Sequence, residues 1–277
     1  MRLPDFIIIG AQKAGTTFAY SALTGRRSSD PEGREYGHPL IDPAARKELH
    51  FFDTPAFFNK GIDWYSQQFP EPTEPYNDGR ETITGEASPY YLFHPHAARR
   101  AAEVVPDAKL IVFLRDPVER AYSDWRHTML GPGEELSFED AIEAEEERLA
   151  GELEKMLEDE RYRSRPHRRY SYLARGVYLP QLEEWFYHFD RRQFLIVESS
   201  DLHNTPHQEL SRMQRFLGVV EQELDLPHGS NASAAREEEA GMEAVPPMKP
   251  VTRERLRGYF EPHNQRLYKY LGRNFGW

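Results

Sequence analysis

The residues best suited to chemistry lie in one short loop near the amino terminus. Residues 10–17 read Gly-Ala-Gln-Lys-Ala-Gly-Thr-Thr, directly after an apolar run at residues 6–9 that is typical of a buried strand. Glycines let the backbone approach an anion closely, and the free N–H groups of a following helix point at it. Lys13 adds a point charge, and Thr16 and Thr17 add hydroxyl donors. The pattern favours an anion-binding loop over an ordinary strand–turn–helix corner.

The loop differs from a Walker A loop in the position of its cation. Gly10 and Gly15 have the Walker A spacing, but Thr16 stands where that motif requires lysine. The only lysine is Lys13, inside the loop. This arrangement points away from a nucleoside triphosphate and towards a 5′-phosphosulfate.

A second group of residues suits a second anion. Arg115 follows the apolar run at residues 110–114, and Asp116 begins a helix that carries Ser123 about two turns along. A guanidinium and a hydroxyl beside a helix N-terminus can bind a phosphate. The alternative is that Arg115 pairs with a carboxylate and that Ser123 is a surface hydroxyl. Two anion sites would suit a nucleotide that carries phosphate at both ends.

A carboxylate and an imidazole form the third group. Glu48 and His50 alternate with apolar residues, so an extended segment would place both on one face. Such a pair suits general-base chemistry, and the alternative is a charged edge over two core phenylalanines. His94 and His96 form an H-x-H pair, but no third ligand has convincing spacing, and we expect no metal site.

Apolar runs and helix caps predict the elements that position these groups. We predict strands at residues 6–9, 82–84, 110–114 and 194–197. We predict helices at residues 16–24, 95–104, from 117 onward, 138–160, 178–189, 206–218 and 252–271, and loops at 25–46 and 228–250. Asp116, Ser137 and Thr205 each begin a capping-box pattern.

Short strands that alternate with capped helices predict an α/β fold. We expect a mostly parallel sheet with helices on both faces and a P-loop-like phosphosulfate-binding loop. In such sheets ligands bind at the carboxyl ends of strands. The 10–17 loop, Gly85-Glu86 and Arg115-Asp116 all fall at predicted strand ends.

Composition limits the class of protein. The 277 residues fit a single domain over 1–277, and the net charge of −11 argues against a general nucleic-acid binder. The absence of cysteine excludes disulfides and thiolate chemistry. No apolar run approaches the roughly 20 residues that span a bilayer, and no targeting segment is visible. We therefore expect a cytoplasmic protein, and the sequence does not indicate its oligomeric state.

On these motifs the chain resembles the PAPS-dependent sulfotransferases, where PAPS is 3′-phosphoadenosine 5′-phosphosulfate. The resemblance is to the carbohydrate branch, which includes heparan sulfate 3-O- and N-sulfotransferases and bacterial relatives. It runs from about residue 5 to Trp277 through five ordered matches: the loop 13–17, the segment Lys47-Glu48-x-His50-Phe51-Phe52-Asp53, residues 61–65, residues 115–123, and the C-terminal runs 259–264 and 271–277.

The resemblance implies a role for each group. The 5′-phosphosulfate would contact Lys13, Ala14, Gly15, Thr16 and Thr17, and the 3′-phosphate would contact Arg115 and Ser123. Glu48 would deprotonate the acceptor, with His50 and Asp53 in support, and Lys13 would stabilise the leaving PAP. The reaction would be an in-line sulfuryl transfer to a hydroxyl or amine, without a metal or a covalent enzyme intermediate, and would depend on positioning and charge stabilisation.

The chain departs from the heparan enzymes at two places. Ala87 stands where those enzymes have a substrate-side lysine, and residues 242–246 lack their Lys-Gly loop, for which Arg236 or Lys249 could substitute. Together with the acidic net charge, Ala87 favours a neutral or weakly charged acceptor. Aromatic residues near the expected cleft could stack on a sugar ring: Trp64, Tyr65, Tyr90, Tyr91 and Phe93. The basic stretch 161–169 argues the other way, since it could hold an anionic acceptor.

Two other functions remain open at this point. A P-loop nucleotide kinase would explain the loop but not the missing Walker A lysine. A non-catalytic PAP-binding protein would explain both anion sites, but it would have no need of Glu48 and Lys13 together.

Overall fold

The computed structural model describes residues 1–25, 37–72, 81–131, 133–226 and 247–277. The strands are β1 (Phe6–Gly10), β2 (Ile41–Pro43), β3 (Ile83–Ala87), β4 (Lys109–Leu114) and β5 (Phe194–Glu198). The first helices are α1 (Thr16–Thr24), α2 (Pro55–Phe58), α3 (Gly61–Ser66), α4 (Ala97–Val104), α5 (Pro117–Met129), α6 (Phe138–Glu143) and α7 (Glu145–Leu149). They are followed by α8 (Glu152–Glu158), α9 (Arg165–Arg169), η1 (Ala174–Gly176), α10 (Tyr178–His188), η2 (Arg191–Gln193), α11 (Ser199–Asn204), α12 (Pro206–Leu217) and α13 (Pro250–Leu271).

The sheet has five parallel strands in the order β2-β3-β1-β4-β5. Strand β1 lies at its centre, and the chain passes from β1 through α1 to β2 and then to β3 on one side, and from β3 through α4 to β4 on the other. Because such crossovers are right-handed, the reversal of direction places α1 and α4 on opposite faces. The predicted α/β fold, a parallel sheet with helices on both faces, is confirmed.

The described residues form two compact units. The first comprises Met1–Leu114 and Trp185–His228, and the second comprises Arg115–Glu184 and Gly229–Trp277. The sheet therefore belongs to the first unit, and α5 to the second. A single domain over residues 1–277 stays a prediction. In the parts of the chain that the structure describes, no helix combines the length and apolar character needed to cross a bilayer.

The first unit is built around the buried central strand. Residues 6–9 of β1 are fully buried, since β3 and β4 flank the strand and helices cover it. Gly85 of β3 faces Phe6, and a Cβ at Gly85 would lie 2.4 Å from the Phe6 ring. Glycine at this position therefore lets the two strands pack with a large side chain between them.

The second unit has its own apolar core on α5. Trp125 of α5 packs with Phe138, Tyr172 and Phe260, which come from three other segments of the unit. A buried ion pair lies on the same helix, since Asp124 accepts a hydrogen bond from Arg120 at 3.0 Å. Such pairs need further hydrogen bonds to offset the cost of removing both charges from water.

Several element predictions were wrong for physical reasons. The predicted loop 25–46 contains β2, a strand too short to show a period in the sequence. The predicted helix 138–160 is three helices, and Gly151 adopts a left-handed φ of 72° between the last two. Ser137 and Asp116 cap their helices as predicted. Thr205 does not, because its hydroxyl donates instead to the carbonyl of Asp201 at 3.0 Å.

Glu145 is a buried carboxyl in the second unit. It is 5% exposed and accepts hydrogen bonds from the N–H groups of Leu173 at 2.7 Å and Ala174 at 2.8 Å. Burial dominates these bonds and raises the pKa of Glu145 to about 7. The folded protein therefore holds a proton that the unfolded chain releases at lower pH.

This carboxyl should make folding stability depend on pH. As pH rises from 4.5 towards 7, the unfolded chain loses the Glu145 proton first, so the free energy of unfolding should fall. Each pKa unit corresponds to about 1.4 kcal/mol, and we expect a fall on the order of 1–3 kcal/mol that levels off above about pH 7. Urea unfolding of wild type and Glu145→Gln from pH 4.5 to 8 measures it. An equal fall in the variant would assign the effect to another group.

Candidate active site

The loop between β1 and α1 is shaped by close backbone packing. A Cβ on Gly10 would lie 2.6 Å from the Cβ of Leu92 and 3.0 Å from the carbonyl oxygen of Pro89. Gly15 precedes α1 with a left-handed φ of 99° and offers no side chain to cap the helix. The first N–H groups of α1 have no acceptor within the helix, so they are suited to an external anion.

The remaining loop residues line the same turn. Ala14 is fully buried, and its N–H donates to the carbonyl of Ala11 at 3.2 Å. Thr16 is buried and Thr17 is exposed, both in the first turn of α1. Lys13 is half-buried and has a φ of 69°, in the left-handed region that lysine rarely adopts. The loop thus places a cation, hydroxyls and backbone donors in one short segment.

The strained backbone positions coincide with the predicted catalytic residues. Among the described residues, the non-glycine residues with positive φ are Lys13 at 69°, Glu48 at 61° and His50 at 55°. A left-handed side-chain residue costs on the order of 1–3 kcal/mol and persists only where its surroundings over-determine it. Such residues cluster at active sites and ligand clamps.

His50 lies between two carboxylates. Its Nδ1 is 2.8 Å from Asp53 Oδ2, and its Nε2 is 3.3 Å from Glu48 Oε2. The Asp53 side chain is fully buried, whereas that of Glu48 is 44% exposed. Asp53 therefore orients the imidazole, and the other ring nitrogen faces Glu48. The predicted Glu48–His50 pair is brought together, through a turn of left-handed residues rather than through an extended segment.

Glu48 also pairs with its sequence neighbour. Lys47 Nζ lies 2.7 Å from Glu48 Oε1. Burial by itself would raise the pKa of Glu48, but the hydrogen bond from His50 and the charge of Lys47 outweigh it and hold that pKa far below its usual range. Glu48 is therefore ionised at neutral pH.

A buried carboxyl lies behind this turn, at a position that the sequence placed at a predicted strand end without assigning it a role. Glu86 of β3 is 0% exposed and accepts hydrogen bonds from Tyr65 Oη at 2.5 Å, Ser88 Oγ at 2.7 Å and Tyr91 Oη at 3.1 Å. Burial raises the pKa of Glu86, and these three hydrogen bonds oppose that shift. The sequence signal was the Gly85-Glu86 pair, which lies inside β3 rather than after it.

Arg115 and Ser123 belong to the second unit. Arg115 directly precedes Asp116, whose side chain caps α5 by accepting from Val118 N–H at 2.8 Å. Tyr178 Oη donates to the carbonyl of Arg115 at 2.8 Å, and burial lowers the pKa of the Arg115 guanidinium. Ser123 is half-buried on α5. The loop 10–17, Glu48 and His50 lie in the first unit.

The aromatic residues predicted to face an acceptor are mostly core. Tyr65, Tyr90 and Tyr91 are at most 5% exposed, and two of them donate to Glu86. Trp64 stacks on Phe57 at 5.5 Å between ring centroids. For Tyr65, Tyr90 and Tyr91 the expectation was wrong, because their rings are buried in the core, whereas Trp64 and Phe93 are half-buried and for them it stays a prediction.

The remaining predicted positions have ordinary structural roles or lie outside the description. Lys249 approaches Glu139 at 3.7 Å, while Arg236 and residues 242–246 lie outside the described residues. His94 Nδ1 accepts from the N–H of His96 at 3.2 Å. Within the described ranges, no cluster of three His, Asp or Glu side chains could hold a metal ion.

Comparisons with known proteins give a consistent result. The Sulfotransferase domain family matches residues 3–235. The chain is 26% identical to the membrane-associated sulfotransferase kil1 of Dictyostelium discoideum, over 99% of this chain and 66% of that protein. It is 31% identical to human heparan sulfate glucosamine 3-O-sulfotransferase 3B1, over 100% of this chain and 65% of that protein. It therefore spans less than two thirds of either relative.

The fold is similar to that of a solved sulfotransferase structure over nearly the whole chain. The crystal structure of a sulfotransferase from Alicyclobacillus acidocaldarius matches with a TM-score of 0.71 and 28% identity, over 99% of this chain and 98% of that one. The resemblance to the carbohydrate branch inferred from the sequence is confirmed by the relatives. Because the match covers residues 3–235, well over half of the sequence, the chain belongs to the sulfotransferase domain family.

Proposed function

We propose that this chain transfers a sulfuryl group from PAPS to a hydroxyl or amine of a carbohydrate or small-molecule acceptor. The observation that carries the proposal is the coincidence of the left-handed non-glycine residues with Lys13, Glu48 and His50. These positions were chosen from the sequence for their chemistry, and strain of this kind marks active sites. Family membership supports the same activity.

The loop and the start of α1 fit the 5′-phosphosulfate. Gly10 and Gly15 allow a backbone path that a side chain would obstruct, and the uncapped first turn of α1 supplies N–H donors. Lys13, Ala14, Gly15, Thr16 and Thr17 would hold this end of the donor. Arg115 and Ser123 would hold the 3′-phosphate, the guanidinium through paired hydrogen bonds.

The turn at Glu48 fits the acceptor side of an in-line displacement. Glu48 takes the proton as the acceptor oxygen or nitrogen bonds to sulfur and the bond from sulfur to the PAP oxygen breaks. Lys13 stabilises the negative charge that develops on that oxygen. His50, oriented by Asp53, stabilises the position of Glu48. Because the two reactants are held in line, positioning supplies much of the rate.

One experiment separates this function from its rivals. Calorimetry with PAP and with ATP, followed by transfer of label from PAPS to a panel of acceptors, distinguishes three outcomes. A preference for PAP with transfer supports the sulfotransferase. A preference for ATP supports a nucleotide kinase, and tight PAP binding without transfer to any acceptor supports a PAP-binding protein.

Arg115 should discriminate PAP from ADP. Only PAP carries the 3′-phosphate, and a charge-assisted hydrogen bond contributes roughly 1.5–3 kcal/mol. Arg115→Ala should therefore weaken PAP binding by about tenfold or more and leave ADP binding nearly unchanged, as measured by calorimetry. Arg161→Ala is a matched control, since Arg161 is 82% exposed and pairs with Asp159. Equal losses for PAP and ADP would remove the 3′-phosphate assignment.

For the acceptor, the residues support a statement about its charge and not about its identity. A neutral or weakly charged acceptor is supported by the net charge of −11 and by Ala87, which is fully buried at the end of β3. A cytoplasmic location and the absence of a nucleic-acid partner stay predictions from the sequence.

A further inference from the structure

A hydrogen-bond relay links Glu86 to the backbone of the catalytic turn. Ser88 Oγ accepts from the N–H of His50 at 3.2 Å, and Tyr91 Oη accepts from the N–H of Phe51 at 2.8 Å. Both hydroxyls in turn donate to the Glu86 carboxylate. The relay therefore joins a buried carboxyl group to two consecutive amides of the turn, across about 40 residues of sequence.

The polarity of the relay is set at its centre. A hydroxyl has one proton, and the hydroxyls of Ser88 and Tyr91 each accept from a backbone N–H, so the proton of each is left to point at Glu86. Because Glu86 takes the protons of Ser88 and Tyr91, both hydroxyls present lone pairs to the turn. An amide at Glu86 would donate to one hydroxyl, whose proton would then face a backbone N–H. Even Glu86→Gln, which preserves the shape of the side chain, should therefore break the hydrogen-bond path through either Ser88 or Tyr91.

The turn that the relay contacts is the one at Glu48 and His50, whose backbone is strained. Glu48 and His50 both have left-handed φ, and such backbone persists only under strong external constraint. The N–H of Glu48 adds a third tie, to the carbonyl of Ala87 beside Glu86, at 3.0 Å. Tyr65 donates to Glu86 and stacks on the Phe51 ring at 4.2 Å, which adds a side-chain constraint.

We propose that Glu86 is a positioning residue for sulfuryl transfer, which acts through Ser88 and Tyr91 to hold Glu48 and His50 in their left-handed geometry. The proposal rests on the proposed function of this turn. Glu86 itself is 0% exposed and would touch neither substrate. Its loss should therefore lower turnover and leave donor binding intact.

The test uses two arms of the relay and one matched control. Ser88→Ala removes the tie to His50, and Tyr91→Phe removes the tie to Phe51. Tyr20→Phe is the control, since Tyr20 is 1% exposed and its hydroxyl bridges the carbonyl of Gly85 and the N–H of Ala44, outside the turn. Glu86→Gln tests the polarity argument directly.

The measurements are kcat and KM with labelled PAPS, PAP affinity by calorimetry, and deuterium exchange of peptides that cover residues 48–53. Misplacement by about 1 Å can cost about 10²-fold in rate, so we expect kcat to fall about 10- to 100-fold in the relay variants. PAP affinity should stay within about twofold, and exchange should rise at residues 48–53. Tyr20→Phe should lose stability without these changes.

Two kinds of failure are distinguishable. Wild type that neither binds PAP nor transfers label would contradict the proposed function. Unchanged exchange at residues 48–53 in Ser88→Ala and Tyr91→Phe would overturn the positioning role, whatever the activity. Raised exchange with wild-type kcat, or a loss of kcat in Tyr20→Phe as large as in the relay variants, would also overturn it.

Discussion

Glu48→Gln is expected to lower the turnover of sulfuryl transfer by about 10²–10⁴, the usual contribution of a general base. Glutamine keeps the shape of the side chain, but it cannot take the acceptor proton. Since Glu48 is ionised far below neutral pH, the wild-type base is in its active form throughout the neutral range. Steady-state kinetics with labelled PAPS at saturating acceptor measures the loss, and calorimetry should show PAP affinity nearly unchanged.

The control for this prediction is a surface glutamate in the same unit. Glu103 has a side chain 53% exposed and pairs with Arg99 on α4. Glu103→Gln should therefore turn over like wild type. If Glu48→Gln also retained the wild-type rate, the Lys47–Glu48 pair would be structural and the base would have to be sought elsewhere.

Lys13→Ala is expected to lower turnover by roughly 10²–10³, the cost of losing one preorganised group at a developing charge. The charge of Lys13 should matter most as the bond from sulfur to the PAP oxygen breaks, so kcat should fall more than PAPS affinity. Single-turnover kinetics at saturating PAPS separates the two quantities. A variant that loses affinity alone would make Lys13 a ground-state contact.

The left-handed backbone of Lys13 allows a sharper version of this test. Glycine adopts φ near 69° without the steric cost that a side chain incurs, so Lys13→Gly should be at least as stable as Lys13→Ala. Both variants should be equally slow, because both lack the charge. Lys155→Ala is the control, since Lys155 is 55% exposed and pairs with Glu152. If the more stable Lys13→Gly turned over much faster than Lys13→Ala, the loss of rate would reflect lost stability and not the lost charge, which would contradict the assignment.

Strands with a strong local pattern in the sequence were predicted correctly, whereas a strand that depends on contacts between distant segments was missed. Strands β1, β4 and β5 were predicted because each is a continuous apolar run; β1 and β4 are buried on both faces of the parallel sheet, whereas β5 lies at its edge with Phe194 and Ile196 half-buried. Strand β2 was missed because Ile41–Pro43 is only three residues long and gains its pairing from β3. Local sequence patterns therefore predicted the long strands, whereas a short strand such as β2 forms only through its pairing with a distant segment.

By itself, the sequence determined the family and gave the residues to which the chemistry is assigned in the proposed function, namely the loop at residues 10–17 and the Glu48–His50 pair. Only the tertiary structure decided how that chemistry is held. The left-handed turn donates backbone hydrogen bonds to Ser88 and Tyr91, about 40 residues away, and both hydroxyls donate to Glu86, which lies inside a strand and not after it. Residue types and spacing carry local preferences, whereas a buried relay exists only once the register of β3 brings its members together.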